Sequence, residues 1–392
     1  MIGILIILNL SVGSISTVFF GYCGEFLAKY IQRKRIFLIT NLLWIGGYGA
    51  LYLSPNFTFF TVMIILGAVG TGAFIPIGFS MVGELFSPKE RGSKFGLMQF
   101  GLIFGNGFGL IAGMIFGNLF GQYGWRMGYF LVLILGLVSI VGYAILGIEP
   151  VRGRAEPELQ EIHEEIKYHY RISGSQLSIV MRNKTVAGVL ISVFCTGIAI
   201  SVLANWGILH LTLSLNNSSL AVIIYIVAGC GALPGSIIGG KIGDKLYRSA
   251  KKKGRIIVSM VGIIIGASFL TGLYFIHISW LFTLILGFTG YFFSYFSFGN
   301  QFAIYSEVCV PEIRGFINSL NGMLTNVGGI IGNLMVTVFL VANNSNISVS
   351  ILAVLLIWLI SSSFWLIPYL SYLSDRSVKE QMMFIRRNEI HY

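Results

Sequence analysis

The chain has 392 residues, 55% of them hydrophobic and only 10% charged, and its mean hydropathy is +0.83. Soluble domains carry roughly 25% charged residues, so this composition excludes a water-soluble globular fold, a disordered chain and a disulfide scaffold. The 49 glycines suit transmembrane helices, where small residues let backbones approach closely.

In chain order, apolar runs able to cross roughly 30 Å of hydrocarbon lie at 2–22, 36–54, 58–84, 94–120, 126–148, 186–210, 217–240, 256–275, 278–305, 315–341 and 348–371. They predict eleven spans of an all-α polytopic membrane protein. Although the net charge is +11, the charges are ordered: all but one of the 26 Lys and Arg follow odd-numbered spans, Arg126 being the exception, and all fifteen Asp and Glu share that side. By the positive-inside rule this face is cytoplasmic and the first residue lies outside. The same placement makes the lipid bilayer, not nucleic acid, the partner that the basic charge serves. The first span has neither a charged leading segment nor a small-residue cleavage site, which argues against a removable signal peptide. Cys23, Cys195, Cys230 and Cys309 show no paired spacing, so neither a disulfide framework nor a zinc site is expected.

The outer loops are short and uncharged, and the sequons at Asn56, Asn216, Asn217, Asn343 and Asn346 all fall in them. The long polar loop 149–184 divides the chain into an N-terminal bundle (1–148) and a C-terminal bundle (185–372), with a cytoplasmic tail at 373–392. Within that loop Leu159, Ile162 and Ile166 stand at helical spacing among glutamates, predicting an amphipathic linker helix on the cytoplasmic face.

The two bundles echo each other. ELFSPKERGSKFG from Glu84 and EVCVPEIRGFINS from Glu307 share the pattern Glu, three residues, Pro, two residues, Arg-Gly. FGYCGEFLAKYIQRKR from Phe20 and GGKIGDKLYRSAKKKGR from Gly239 share glycine, an acid and a cluster of bases. Parallel repeats of this kind predict two pseudo-symmetric bundles with a substrate site between them at the membrane midplane.

The run Gly240 to Lys245, followed by bases, resembles the loop motif of the major facilitator superfamily. Within that superfamily the chain is most similar to Spinster-like (sphingolipid and lysolipid transporter-like) members. The residues that carry the likeness are ELFSPKERG (84–92), the glycine-rich helix from Gly101, GWR (124–126), EPVRGRAEPE (149–158) and VMRNKTVAGVL leading to Asn205 and Trp206. The resemblance implies a twelve-helix fold of which helices 2–12 are visible and the first is missing. It further implies a monomeric multi-pass protein of the cell membrane, with no cofactor, carrying small organic or lysolipid-like solutes by alternating access. Such chains usually show Gly-x-Gly-Glu in helix 4, whereas this one has Gly70-Thr71-Gly72-Ala73, leaving Ala73 where a coupling acid would stand.

Ionisable side chains at mid-membrane depth mark function by default, and no Asp, Glu, Lys or Arg falls there; His210, at the outer end of the sixth span, reads as an interfacial histidine. The charges gather at the cytoplasmic mouth. The resemblance implies a gate there, expected to pair Glu25 with Arg33 and Arg35, Glu84 with Arg91, Asp244 with Lys245, and Glu307 with Arg314. Candidates for the substrate cavity are Thr71, Asn106, Asn205, Trp206, Asn300, Gln301, Asn326 and Asn333, with Tyr291, Ser294, Tyr295 and Phe298 sharing one helical face. For each asparagine an interhelical hydrogen bond competes equally with ligand contact. Gly101, Gly105, Gly109, Gly113 and Gly117 recur every four residues and predict close helix contact between the halves; Gly328 and Gly332 repeat the theme. A metalloprotease motif, a phosphate-binding loop and a nucleophile elbow are all absent from the sequence, so an enzyme is not expected. The rival readings are a drug or small-solute exporter of the same superfamily, and a membrane sensor or degenerate paralogue that transports nothing.

Overall fold

The computed structural model describes residues 2–28, 30–159, 170–172, 178, 181–249, 251–342 and 346–391. A helix covers each apolar run picked out in the sequence. Before the linker these are α1 (Ile2–Leu27), α2 (Arg33–Ala50), α3 (Phe57–Thr71), α4 (Ser80–Leu85), α5 (Arg91–Phe120) and α6 (Gly124–Leu146). After it come α7 (Lys184–Leu215), α8 (Ser218–Gly229), α9 (Ala232–Arg248), α10 (Gly254–Phe275), α11 (Trp280–Ser294), α12 (Phe296–Val308), α13 (Arg314–Ala342), α14 (Ile347–Ser361) and α15 (Leu366–His391). Among the described residues nine stretches are long and apolar enough to cross a membrane; one of them, Arg91–Leu146, holds both α5 and α6. The turn between those two is made at Gly121, whose φ of +52° favours a residue without a Cβ.

The outer turns follow local hydrogen-bonding rules. Asn56, Asn217, Ser279 and Asn346 each accept a bond from a first-turn amide of the helix they precede, satisfying an otherwise orphan donor. Arg126 of the GWR motif donates to the carbonyls of Tyr52 (2.9 Å) and Ser54 (2.7 Å), tying α6 to the end of α2.

Four long helical stretches are interrupted among the described residues, one of them by the 3-10 turn Ser362–Trp365 between α14 and α15. Between α3 and α4 the residues Phe74–Phe79 form a π-helical stretch around Pro76, which has no N–H to give to the ladder. Cys230–Gly231 separates α8 from α9, and Tyr295 separates α11 from α12. The helices before the linker meet those after it along α1–α13, α5–α9 and α5–α12, with the π stretch also against α13.

The α5 contacts are confined to its first turns. A Cβ on Gly92 would lie 2.9 Å from the Gly240 carbonyl, one on Gly299 would lie 2.5 Å from the Gly92 carbonyl, and one on Gly96 would overlap the Ser236 carbonyl. Backbone therefore packs on backbone at this end. The expectation for Gly101, Gly105, Gly109, Gly113 and Gly117 is corrected: nothing lies within 4 Å of where their side chains would be. Gly328 and Gly332 do pack closely, but against α7 of their own half. The α5–α9–α12 contact is thus tight along the first turns of α5, and the glycine face beyond them is open.

Candidate functional site: the cytoplasmic closure

Charged side chains from α2, α4, α5, α9, α10, α12, α13 and α15 converge at one place, and most of them are buried. The two repeated Glu…Arg-Gly motifs supply Glu84, Arg91, Glu307 and Arg314, but they do not pair within each motif as expected. Glu84 accepts from Arg33 at 2.6 Å, with Arg152 at 3.8 Å. Glu307 is held by Arg255 and by the Tyr372 hydroxyl. Arg91 and Arg314 both reach Glu156, each at 2.7 Å from the same oxygen. Lys379 of α15 donates to the other oxygen at 2.5 Å and to Glu158 at 3.1 Å. A helical i to i+7 spacing cannot close a pair across the turn that each Pro starts, so the arginines turn to partners elsewhere.

Glu156 joins three parts of the molecule: α5 through Arg91, α13 through Arg314, and the C-terminal helix through Lys379. It is fully buried. Burial alone would push its carboxyl up, but Arg314, Lys379 and Arg91 overcome that and hold it well below the ordinary 4.5.

Asp244 performs a second bridging task. Its carboxylate accepts the backbone amides of Gly92 (2.9 Å) and Ser93 (2.7 Å), so a residue of α9 caps the N-terminus of α5. Orphan amides and the positive helix end both favour a carboxylate there. Arg255 completes the site, donating to Asp244 and to the Pro88 carbonyl, each at 2.6 Å. The expected pair of Asp244 with Lys245 is therefore replaced by Asp244 with Arg255, and Lys245 is exposed. The side chain of Glu25 lies outside the described residues. Next to this network Phe79, Phe95 and Phe302 stack at centroid distances of 4.3 to 5.8 Å.

The cavity candidates divide. Asn205 and Trp206 both donate to the Asn333 side-chain oxygen, at 3.1 and 3.0 Å, while Asn333 donates to Ser201 at 2.8 Å. Asn205 stays exposed, as do Thr71 and Asn106; Asn326 is half-buried. Asn300 and Tyr291 are placed elsewhere. Asn300 is fully buried and donates to the Gly239 and Phe296 carbonyls, so its amide ties α12 to α9. Tyr291 and Ser294 are buried inside the C-terminal half, and Gln301 is also buried. Of Tyr291, Ser294, Tyr295 and Phe298, expected to share one face, Tyr295 stacks on Phe298 at 4.4 Å, while its amide donates to the Tyr291 carbonyl at 3.3 Å. His210 is buried beside Tyr274 and Phe275, with Ser348 at 3.1 Å.

The sequence reading missed Glu149, Glu156, Arg255, Tyr372 and Lys379. Glu149, Glu156 and Arg255 were inside motifs already singled out; Tyr372 and Lys379 carry no spacing signal. Leu159 of the linker is buried, whereas Ile162 and Ile166 of the expected amphipathic helix lie outside the described residues.

The family model for the Major Facilitator Superfamily matches residues 1–333, and the chain belongs to that superfamily. It is 23% identical over 329 residues to the hexuronate transporter of Bacillus subtilis, a match covering 81% of this chain and 75% of that one. It is 27% identical over 150 residues to the niacin transporter NiaP of Acinetobacter baylyi, covering 36% and 33%. Among solved structures it is similar to the proton:xylose symporter XylE (TM-score 0.69, 18% identity, 90% of this chain and 84% of that one) and to the E. coli fucose:proton symporter FucP (0.63, 14%, 95% and 94%). The protein is accordingly an integral, multi-pass secondary transporter of the alternating-access kind, not an enzyme.

Proposed function

We propose that this transporter carries neutral or amphiphilic small organic solutes, the lysolipid-like class implied by the Spinster-like motifs, and that the buried charge network is its cytoplasmic gate. One observation carries the substrate reading: amides and aromatic rings, not charges, are available at membrane depth. Asn205 is exposed beside Trp206, Tyr295 and Phe298 offer stacked rings, and no Asp, Glu, Lys or Arg falls at mid-membrane depth in the sequence. The relatives named for hexuronate and niacin carry acids. Binding an acid's carboxylate in a low-dielectric site calls for a paired cation; here Arg126, on the outer side, already serves two carbonyls.

The gate reading rests on Glu156 and Asp244, each of which touches both halves. Breaking such contacts separates the cytoplasmic ends of α5 and α9, as alternating access requires. Counterflow in proteoliposomes tests the substrate class: a fluorescent lysophospholipid should exchange saturably and hexuronate should not. Saturable hexuronate exchange without lysolipid exchange would overturn it.

A further inference from the structure

The C-terminal helix is bound to the closure along its whole cytoplasmic length. Asp375 accepts the Thr185 amide at 2.8 Å and so caps α7. Arg386 pairs with Glu312 at 2.7 Å in the turn before α13, and Met383 is fully buried between these points. These contacts anchor α15 to the C-terminal half. Lys379, one helical turn after Asp375 and two before Arg386, is the exception. Its ammonium is buried and reaches the linker carboxylates Glu156 and Glu158.

We propose that Lys379 is a positioning residue for the transport cycle: it holds Glu156 in place between Arg91 and Arg314, so that the tail helix sets how readily the cytoplasmic side opens. The charge arithmetic requires a third participant. Two oxygens of one carboxylate face three cations, and Arg91 and Arg314 share a single oxygen. Lys379 occupies the other oxygen and is itself balanced by Glu158. Without Lys379 the carboxylate is free to swing, and the geometry that lets one oxygen serve both arginines is lost. Arg386, on the same helix, touches Glu312 and not Glu156, so it separates this role from plain packing of the tail.

The inference rests on the gate reading but not on the substrate, and its test uses no solute. Cys309 is buried beside this cluster, its carbonyl 3.5 Å from Arg314, and serves as the inner reporter in a chain whose other three cysteines are replaced by alanine. Asn106→Cys on the open part of α5 is the outer reporter. Membrane-impermeant maleimide is applied from each side in vesicles. Lys379→Gln should raise inner labelling about tenfold or more, the scale of one lost charge-assisted hydrogen bond, and lower outer labelling at the same time. Lys379→Arg should restore both, and Arg386→Gln should leave both near the starting values. Unchanged labelling in Lys379→Gln overturns the proposal. So does an equal response in Arg386→Gln, or a rise inside without the fall outside, since loosened packing would open one side only.

Discussion

At Glu156 the electrostatics are one-sided: a carboxylate removed from water survives as the charged form only because three cations surround it. Removing one partner of a buried ion pair typically costs about 3–5 kcal/mol, so Glu156→Gln should lower the detergent melting temperature and leave three cations facing a neutral amide. The pH dependence follows from the depressed value. A carboxyl whose folded pKa lies below its unfolded one contributes stability that is fully present above the unfolded value and is lost as pH falls through the folded one. The melting difference between wild type and Glu156→Gln should therefore stay flat from neutral pH down to about 4.5 and shrink only below it. A difference that shrinks already near pH 6 would contradict the burial and pairing described. Asn333 offers a second test. Asn333→Ala strips the acceptor from Asn205 and Trp206 and the donor from Ser201, and on the scale of membrane interhelical bonds, about 0.6 kcal/mol each, the loss should be about 2 kcal/mol in unfolding titrations.

For whole elements, glycine placement decides which helices can meet. Gly96→Ala puts a methyl group into the Ser236 carbonyl, and backbone cannot swing aside as a side chain can. That variant should open the cytoplasmic end, read as a longer spin-label distance between α5 and α9. Gly109→Ala, with nothing within 4 Å, should leave that distance unchanged. The four-residue stripe was legible in the sequence, yet its contacts were not. Spacing shows that glycines share a helix face, whereas which turn of that face a neighbour reaches depends on the angle at which α5 crosses α9 and α12. The interruptions in the third, seventh, ninth and eleventh runs were hidden for a similar reason. Pro76 and the flanking glycines permit a break, and the packing of α1 and α13 against the π stretch uses it.

For the molecule as a whole, the N-terminus of α5 is capped by a residue of the other half, which couples closure to helix stability. Asp244→Asn keeps the shape but loses the charge that meets the helix end and Arg255. It should shift the population toward the inward-open state and slow counterflow, checked by spin-label distances and flux on the same preparation. An unshifted distance distribution would remove Asp244 from the gate.

Helix positions and the superfamily were readable from the sequence, because hydrophobic run length and the short motifs around Arg91 and Asp244 are local quantities. The charged residues proposed for the gate were readable as a set through the repeated Glu…Arg-Gly motifs and the loop around Asp244. Their partners were not. Glu84 meets Arg33, Arg91 and Arg314 share Glu156, and Asp244 meets Arg255 and the amides of α5. Such pairings join residues far apart in the chain, and they form only when helices from both halves bring their ends into one small, poorly solvated space, where each charge takes the nearest opposite charge and not the nearest in sequence.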